Sequence, residues 1–122
     1  MAGQQVKLCS RVWFEQEGEY IFGPGVFRLI KKVHELGSLK KATEDLRMPY
    51  RGAWGRLRKA EQALGFSLLE STSERHQGMK ATEQALEMVD AYERLCRKNR
   101  EYLASIAHEF PLLELQMPEH DF

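Results

Sequence analysis

The most constraining feature of this 122-residue sequence is a pair of adjacent short helical segments near its centre. Ser38 is suited to cap the first segment, "LKKATEDL", in which Leu39, Ala42 and Leu46 share one face. After the short connection "RM", the segment "PYRGAWGRLRKAEQAL" carries apolar residues at intervals of three and four. Two short helices joined by a tight turn are typical of the helix-turn-helix motif.

The segments on either side of this pair extend the pattern. Upstream, "GPGVFRLIKKVHELG" has apolar residues at helical spacing and ends on Gly37, so it predicts another helix. Before it, "QVKLCSRVWFEQEGEYIFG" alternates around Gly18, which predicts two strands and a hairpin turn. Downstream of Gly65, "FSLLEST" and "MKAT" have the composition of strands and flank the polar connection "SERHQG". Two strands with a basic tip predict a wing over 71–81.

From Thr82 onward the sequence predicts one long helix over 83–108. Its seam residues recur at alternating intervals of four and three, the heptad rule for helices that pack along one another. We predict homodimerisation through this helix; the alternative is that the same residues cover the domain's own core. The predicted dimerisation residues are Val89, Tyr92, Cys96, Asn99, Leu103 and Ile106.

These elements together predict an α+β fold, mainly α: a winged helix-turn-helix with an N-terminal β-hairpin and a long C-terminal dimerisation helix. A chain of 122 residues has the length of one domain, which we place at 1–110, with a flexible acidic tail at 111–122. No apolar run approaches the roughly 20 residues that span a bilayer, and the start lacks the apolar core of a signal peptide. We therefore expect no membrane partner and a cytoplasmic location.

Charge is distributed unevenly along the chain although the formal net charge is zero. Between Arg28 and Lys80 there are twelve lysines and arginines and six acidic residues, a local excess of six positive charges. A domain polarised in this way can present one basic face to phosphates while its other surfaces repel them. The alternative is a set of solvated cations on helix exteriors.

The basic face is concentrated on the second helix of the predicted motif, over 49–64. This segment contains two interior glycines, Gly52 and Gly55, each of which costs about 0.5 to 1 kcal/mol relative to alanine. A helix face without side chains at these positions can sit deep in the major groove, where arginines reach guanine edges or phosphates. The candidate DNA-binding residues in this basic region are Lys40, Arg47, Arg51, Gly52, Gly55, Arg56, Arg58, Lys59, Arg75 and Lys80.

Other kinds of site have little support in the sequence. There is no glycine-rich phosphate loop, no nucleophile motif and no metal-ligand spacing, so we predict no enzyme, no cofactor and no metal. His76 has no second histidine or paired carboxylate at ligand spacing and is interpreted as an ordinary loop residue. Cys9 and Cys96 lie far apart, which favours two reduced thiols over a disulfide.

The segments "GS", "YRGAW" and "LLEST" carry a family resemblance. Together with the long helix they resemble the N-terminal DNA-binding domain of the ModE regulators, the molybdate-responsive transcription factors, a winged helix related to the LysR type. The resemblance implies a dimer that binds an operator with paired half-sites, and it adds Ser38 and Tyr50 to Arg51 and the wing as DNA-binding regions. The wing differs from the glycine-rich wing of that family, and we expect no molybdate-binding domains here, since no molybdate site is evident in the sequence.

The sequence thus predicts a transcriptional regulator that binds double-stranded DNA as a homodimer, with the helix at 49–64 in the major groove and the wing on the flanking backbone or minor groove. The alternative hypothesis is a winged helix that has lost its operator and binds another protein. Net neutrality and the altered wing favour that alternative.

Overall fold

The computed structural model describes residues 5–72 and 78–118, which form four α-helices and six short strands. The helices are α1 (Pro24–Leu36), α2 (Leu39–Asp45), α3 (Tyr50–Leu64) and α4 (Glu83–Ile106). The strands are β1 (Val6–Lys7), β2 (Phe14–Gln16), β3 (Glu19–Phe22), β4 (Leu69–Ser71), β5 (Met79–Ala81) and β6 (Leu115–Gln116). This is the predicted mainly α winged helix-turn-helix.

Local capping chemistry sets the helix ends where the sequence predicts them. Ser38 begins α2, and its Oγ accepts a hydrogen bond from the backbone N–H of Lys41 at 3.1 Å. Thr82 begins α4 in the same way, accepting from the backbone N–H of Ala85 at 3.1 Å. Gly37 ends α1 at φ +74°, a conformation that favours glycine. The helix at 49–64 begins one residue later than predicted, at Tyr50.

The N-terminal hairpin is formed by β2 and β3, which pair antiparallel. Glu17 and Gly18 connect them at φ +51° and +80°, the backbone that a two-residue hairpin turn requires. The hairpin is therefore confirmed, but it is shorter than the alternation suggested. The residues before Phe14 do not extend β2.

Two described segments near the ends of the chain form a parallel pair that the sequence did not predict. Val6 and Lys7 of β1 pair with Leu115 and Gln116 of β6. The predicted tail at 111–122 thus contains a strand in its described part, 111–118, because the chain turns after α4 and runs back along β1. The predicted helix at 83–108 ends at Ile106 and continues as one 3-10 turn, Ala107–Glu109.

The core is centred on α1, which is covered on one side by the first half of α4. Tyr92 of α4 is its central side chain, with ring centroids 5.3 Å from Phe22 and 5.1 Å from Phe27. The Tyr92 hydroxyl donates a hydrogen bond to the carbonyl oxygen of Val12 at 2.7 Å, which joins the hairpin segment to the helices. The buried apolar residues of α1 are Val26, Phe27, Leu29, Ile30 and Val33.

The helix-turn-helix and the wing are attached to this core by backbone contacts. Arg47, in the turn between α2 and α3, adopts φ +56°, which is uncommon for a residue with a side chain. The wing strand β5 is anchored to the end of α1, where the Met79 N–H donates to the Gly37 carbonyl at 2.9 Å. The Ala81 N–H donates to His34 Nδ1 at 3.2 Å. These bonds hold the base of the wing beside the helical core.

Candidate nucleic-acid interface

Helix α3 has one buried face and one exposed basic face. Ala53, Leu57 and Ala60 are buried against the core. Positions on the opposite side of the helix are exposed, as the 3.6-residue period requires. The exposed positions are Arg51, Gly52, Gly55, Arg56, Arg58, Lys59 and Gln62.

The two interior glycines of α3 have no reason within the described chain to be glycine. A Cβ atom on Gly52 would meet only Pro49, at 3.9 Å, which is ordinary contact. A Cβ atom on Gly55 would meet nothing within 4 Å. Both residues are helical, so neither needs a left-handed backbone. Each glycine therefore lowers the stability of α3 at an exposed position where the described chain has room for a side chain.

Aromatic residues order one edge of this face. The Trp54 indole N–H donates to the Tyr50 hydroxyl at 2.9 Å, one helical turn apart. The Arg58 guanidinium lies over the Trp54 ring, 5.7 Å from its centroid. Stacking restricts the arginine side chain while leaving its N–H donors exposed. Arg51 forms no salt bridge with a described residue and extends from the first turn of the helix.

Two of the predicted DNA-binding cations form ion pairs within the described chain. Lys59 forms a 2.9 Å ion pair with Glu19 in β3. Lys80 of the wing lies 3.8 Å from Glu70 on the paired strand. Arg56 lies against the first turn of α1, where its Nη1 would be 3.1 Å from a Cβ atom on Gly25. Lys59 and Arg56 are thus at the hairpin side of α3.

The remaining predicted contacts lie at both ends of α2 and in the wing. The Ser38 hydroxyl is engaged as the cap of α2, and Lys40 is exposed in the first turn of that helix. Arg47 is exposed in the turn before α3. Arg75, at the predicted tip of the wing, lies outside the described residues. The structure brings Ser38, Lys40 and Arg47 into the motif that carries Arg51, as the sequence predicts.

The residues of the predicted dimer seam separate into two groups. Val89, Tyr92 and Cys96 are buried in the core of their own chain, which is the alternative that the sequence left open. Asn99 donates from Nδ2 to Ser10 Oγ at 2.9 Å, and Leu103 and Ile106 are half-buried. Dimerisation stays a prediction. Of the predicted seam residues, only Asn99, Leu103 and Ile106 keep exposed surface that a second copy could contact.

A stripe next to this seam is more exposed than the seam itself. Leu95 is 41% exposed and Tyr102 is 63% exposed, and they are seven residues apart. Half-buried Met88 lies seven residues before Leu95. Both stripes have heptad spacing, so the spacing alone does not distinguish this stripe from the predicted seam. Only the packing of α4 shows which one the core covers.

The fold and the basic helix define the class of this chain as a winged helix-turn-helix. Residues 26–86, half of its length, match the family described as "Bacterial regulatory helix-turn-helix protein, lysR family". The chain belongs to that family and is thereby placed among DNA-binding transcriptional regulators. This confirms the LysR-type part of the predicted resemblance, while the narrower resemblance to ModE regulators stays a prediction.

Two solved structures have a similar fold at low sequence identity. The crystal structure of ArgP from Mycobacterium tuberculosis matches with a TM-score of 0.51 and 17% identity, covering 80% of this chain and 43% of that chain. A hydrogen peroxide-bound OxyR mutant from Corynebacterium glutamicum matches with a TM-score of 0.50 and 13% identity, covering 76% and 38%. The chain thus spans less than half of either protein. No curated protein sequence matches it.

Two further observations concern the described residues alone. None of the helices in 5–72 and 78–118 is both long and apolar enough to cross a membrane. Within the same ranges, no group of three histidine, cysteine or acidic side chains is arranged to hold a metal ion.

Proposed function

We propose that this protein is a transcriptional regulator that recognises a specific sequence in double-stranded DNA as a homodimer. Helix α3 enters the major groove, and the wing contacts the flanking backbone or minor groove. The regulator acts in the bacterial cytoplasm, where its DNA target lies. The narrower resemblance to the ModE DNA-binding domain, carried by "GS", "YRGAW" and "LLEST", supports the same mode of binding.

The observation that carries this proposal is the pair of exposed glycines on α3. Gly52 and Gly55 together cost about 1 to 2 kcal/mol of helix stability, and no contact within the described chain requires them. Arg51 and Arg58 border them on the same exposed face. A partner that approaches the helix backbone closely and carries negative charge accounts for both features. The major groove of DNA is such a partner.

The cations of this face have different roles in the proposed DNA binding, some contacting bases and others phosphates. Arg51 has no acidic partner in the described chain, and it projects from the N-terminal turn, the part of a recognition helix that reaches base edges. Lys59 and Lys80 already have carboxylate partners, so DNA contact by either lysine must replace an existing ion pair. We therefore assign most of the base readout to Arg51 and Arg58. Lys40 and Arg47 are assigned to phosphates.

The homodimer is supported by the exposed stripe on α4. Leu95 and Tyr102 have the heptad spacing of helices that pack along one another, and the chain does not bury them. Half-buried Leu103 and Ile106 continue the apolar surface toward the end of the helix. Pairing two copies along this surface presents two α3 helices to one duplex. Half-sites about one helical turn apart follow from that arrangement.

Selection of bound fragments from genomic DNA at physiological salt tests this function. We expect enrichment of an inverted repeat and its loss in Arg51→Ala, because a base-contacting arginine contributes about 1 to 3 kcal/mol of discrimination. Arg97→Ala, which removes an exposed cation of α4, is the matched control and should retain the repeat. Absence of any enriched sequence in the unmodified protein would favour the protein-interaction module instead.

Gly55→Ala provides a second and sharper test, because it separates stability from binding. The substitution should raise the free energy of unfolding by about 0.5 to 1 kcal/mol, since the added methyl group meets nothing within the chain. It should weaken binding to the selected repeat because the methyl group lies between helix and groove. A stabilised variant with unchanged affinity would show that α3 does not approach DNA at this position.

A further inference from the structure

A cavity between the N-terminal hairpin, the start of α1 and the outer side of α3 has no role in the function proposed above. Its volume is about 510 Å³, within the range of small-molecule sites. Four cations line it, and none of the described residues that line it is acidic. The lining cations are Arg11, Arg28, Arg56 and Lys59.

Three of these cations lack a carboxylate partner. Lys59 is paired with Glu19, but Arg11, Arg28 and Arg56 form no salt bridge with a described residue. A smaller cavity of about 200 Å³ shares Gly25, Arg28 and Arg56 and extends toward the turn before α3. The two arginines therefore stand where the cavities meet. Both arginines are exposed, so water screens their repulsion, and without a carboxylate partner both remain able to attract an anion.

The start of α1 adds to the positive potential. The guanidinium of Arg56 approaches the first turn closely, because Gly25 has no side chain to exclude it. The N-terminus of a helix carries partial positive charge, and the first turn of α1 contains no acidic residue to balance it. A cation at this end of a helix is the reverse of the stabilising arrangement. An anion beside Arg56 would be attracted both by the guanidinium and by the N-terminus of α1.

Tyr20 lines the cavity between the hairpin and the start of α1 and leaves the arginines available to a ligand. Its hydroxyl lies beside the first turn of α1, 4.0 Å from the place of a Cβ atom on Gly25. Gly23 permits this position, since a Cβ atom there would lie 2.4 Å from the Tyr20 hydroxyl. Burial raises the pKa of Tyr20, so the phenol is neutral at physiological pH and contributes no competing negative charge. Tyr20 and Ile21 of the hairpin thus form one wall of the cavity.

We propose that this cavity binds a phosphate group between Arg11, Arg28 and Arg56. Arginine suits the task because its planar fork of N–H donors matches phosphate oxygens. The phosphate belongs either to a free phosphorylated molecule or to the DNA backbone beside α3. The second source rests on the DNA binding proposed above, whereas the first does not.

The test uses a cavity variant and a charge-matched control. Arg11→Gln with Arg28→Gln removes two arginines that are not among the proposed DNA contacts of α3 and the wing. Arg97→Gln with Lys98→Gln removes two exposed cations of α4 and controls for net charge. Thermal melting establishes that both variants are folded. Each protein is then examined with inorganic phosphate and with a labelled duplex.

In the first arm, inorganic phosphate is titrated against each protein at constant ionic strength, with chloride as the reference anion, and backbone amide shifts are recorded by NMR. A free phosphate site predicts saturable shifts around Gly25 in the unmodified protein and the control, and at least 10-fold weaker binding in the cavity variant. In the second arm, duplex affinity is measured against salt concentration. A backbone phosphate in the cavity predicts that the log–log slope falls by about 0.9 in the cavity variant alone.

Either result supports the phosphate site and identifies the source of the phosphate. The proposal is overturned if phosphate gives no saturable shifts and the salt slopes of all three proteins agree. A failure of the function proposed above is recognised separately, because the unmodified protein would then bind no duplex. In that event the phosphate titration alone decides whether the cavity is an anion site.

Discussion

The two halves of α4 follow one sequence pattern and have different surroundings. In the first half, Val89, Tyr92 and Cys96 are at most 7% exposed and belong to the core. In the second half, Leu103 and Ile106 are only half-buried, and Tyr102 is 63% exposed. The spacing of three and four continues across the boundary without a change. The helix is simply longer than the domain that it covers.

This difference shows what a heptad pattern measures. The pattern indicates that one face of a helix is apolar, and it does not indicate whether that face is covered by the same chain or by a second one. Here α1 and the hairpin segment cover the helix as far as Cys96. Beyond Cys96, no described residue of α4 belongs to the buried core, and the apolar side chains are only partly covered by other described residues. The following predictions test whether the halves differ in function as they differ in burial.

The largest expected effect is loss of stability in the first half. Tyr92→Ala should lower the free energy of unfolding by about 3 to 5 kcal/mol, because it removes a buried ring that packs on Phe22 and Phe27. Urea unfolding at several protein concentrations measures the change. Tyr92→Phe keeps the ring and removes the hydrogen bond to Val12, so it should cost about 1 kcal/mol. A small loss in Tyr92→Ala would show that the core does not depend on α4.

An intermediate effect is expected at the exposed stripe, and it should appear in assembly. Leu95→Asp should weaken dimerisation by at least about 10-fold, which is 1.4 kcal/mol, without lowering the stability of the monomer. Leu86→Asp is the matched control: Leu86 and Leu95 are 40% and 41% exposed, on opposite sides of the same helix. Analytical ultracentrifugation compares the two. Equal dissociation in both variants, or a monomeric unmodified protein, would contradict the proposed interface.

Features that depend on neighbouring residues could be predicted from the sequence. The caps at Ser38 and Thr82, the end of α1 at Gly37 and the hairpin turn at Gly18 all follow from local backbone chemistry. The helix-turn-helix followed from these ends together with the apolar spacing. The basic exposed face of α3 was predictable for the same reason, because it is the complement of a helical period.

Contacts between residues that are distant in the sequence could not be predicted from it. The pairing of β1 with β6 joins segments more than 100 residues apart, and neither has a pattern that specifies the other. The cavity lined by Arg11, Arg28 and Arg56 is similar, since these residues are far apart in the sequence and come together only in the folded chain. The engagement of Lys59 by Glu19 also arises from this placement. Tertiary arrangement, and not residue type, decides these contacts.

The smallest expected effect lies at Asn99, on the boundary between the halves of α4. Its side chain donates to Ser10 Oγ at 2.9 Å at an exposed position, so Asn99→Ala should lower the free energy of unfolding by about 0.5 to 1 kcal/mol. If this bond is its whole role, Ser10→Ala should cause the same loss, and the double variant should lose no more than either single variant. A polar residue inside a helical dimer seam instead sets register and partner number. A change of oligomeric state in Asn99→Ala, with none in Ser10→Ala, would therefore assign Asn99 to the interface and not to the core half, which ends at Cys96.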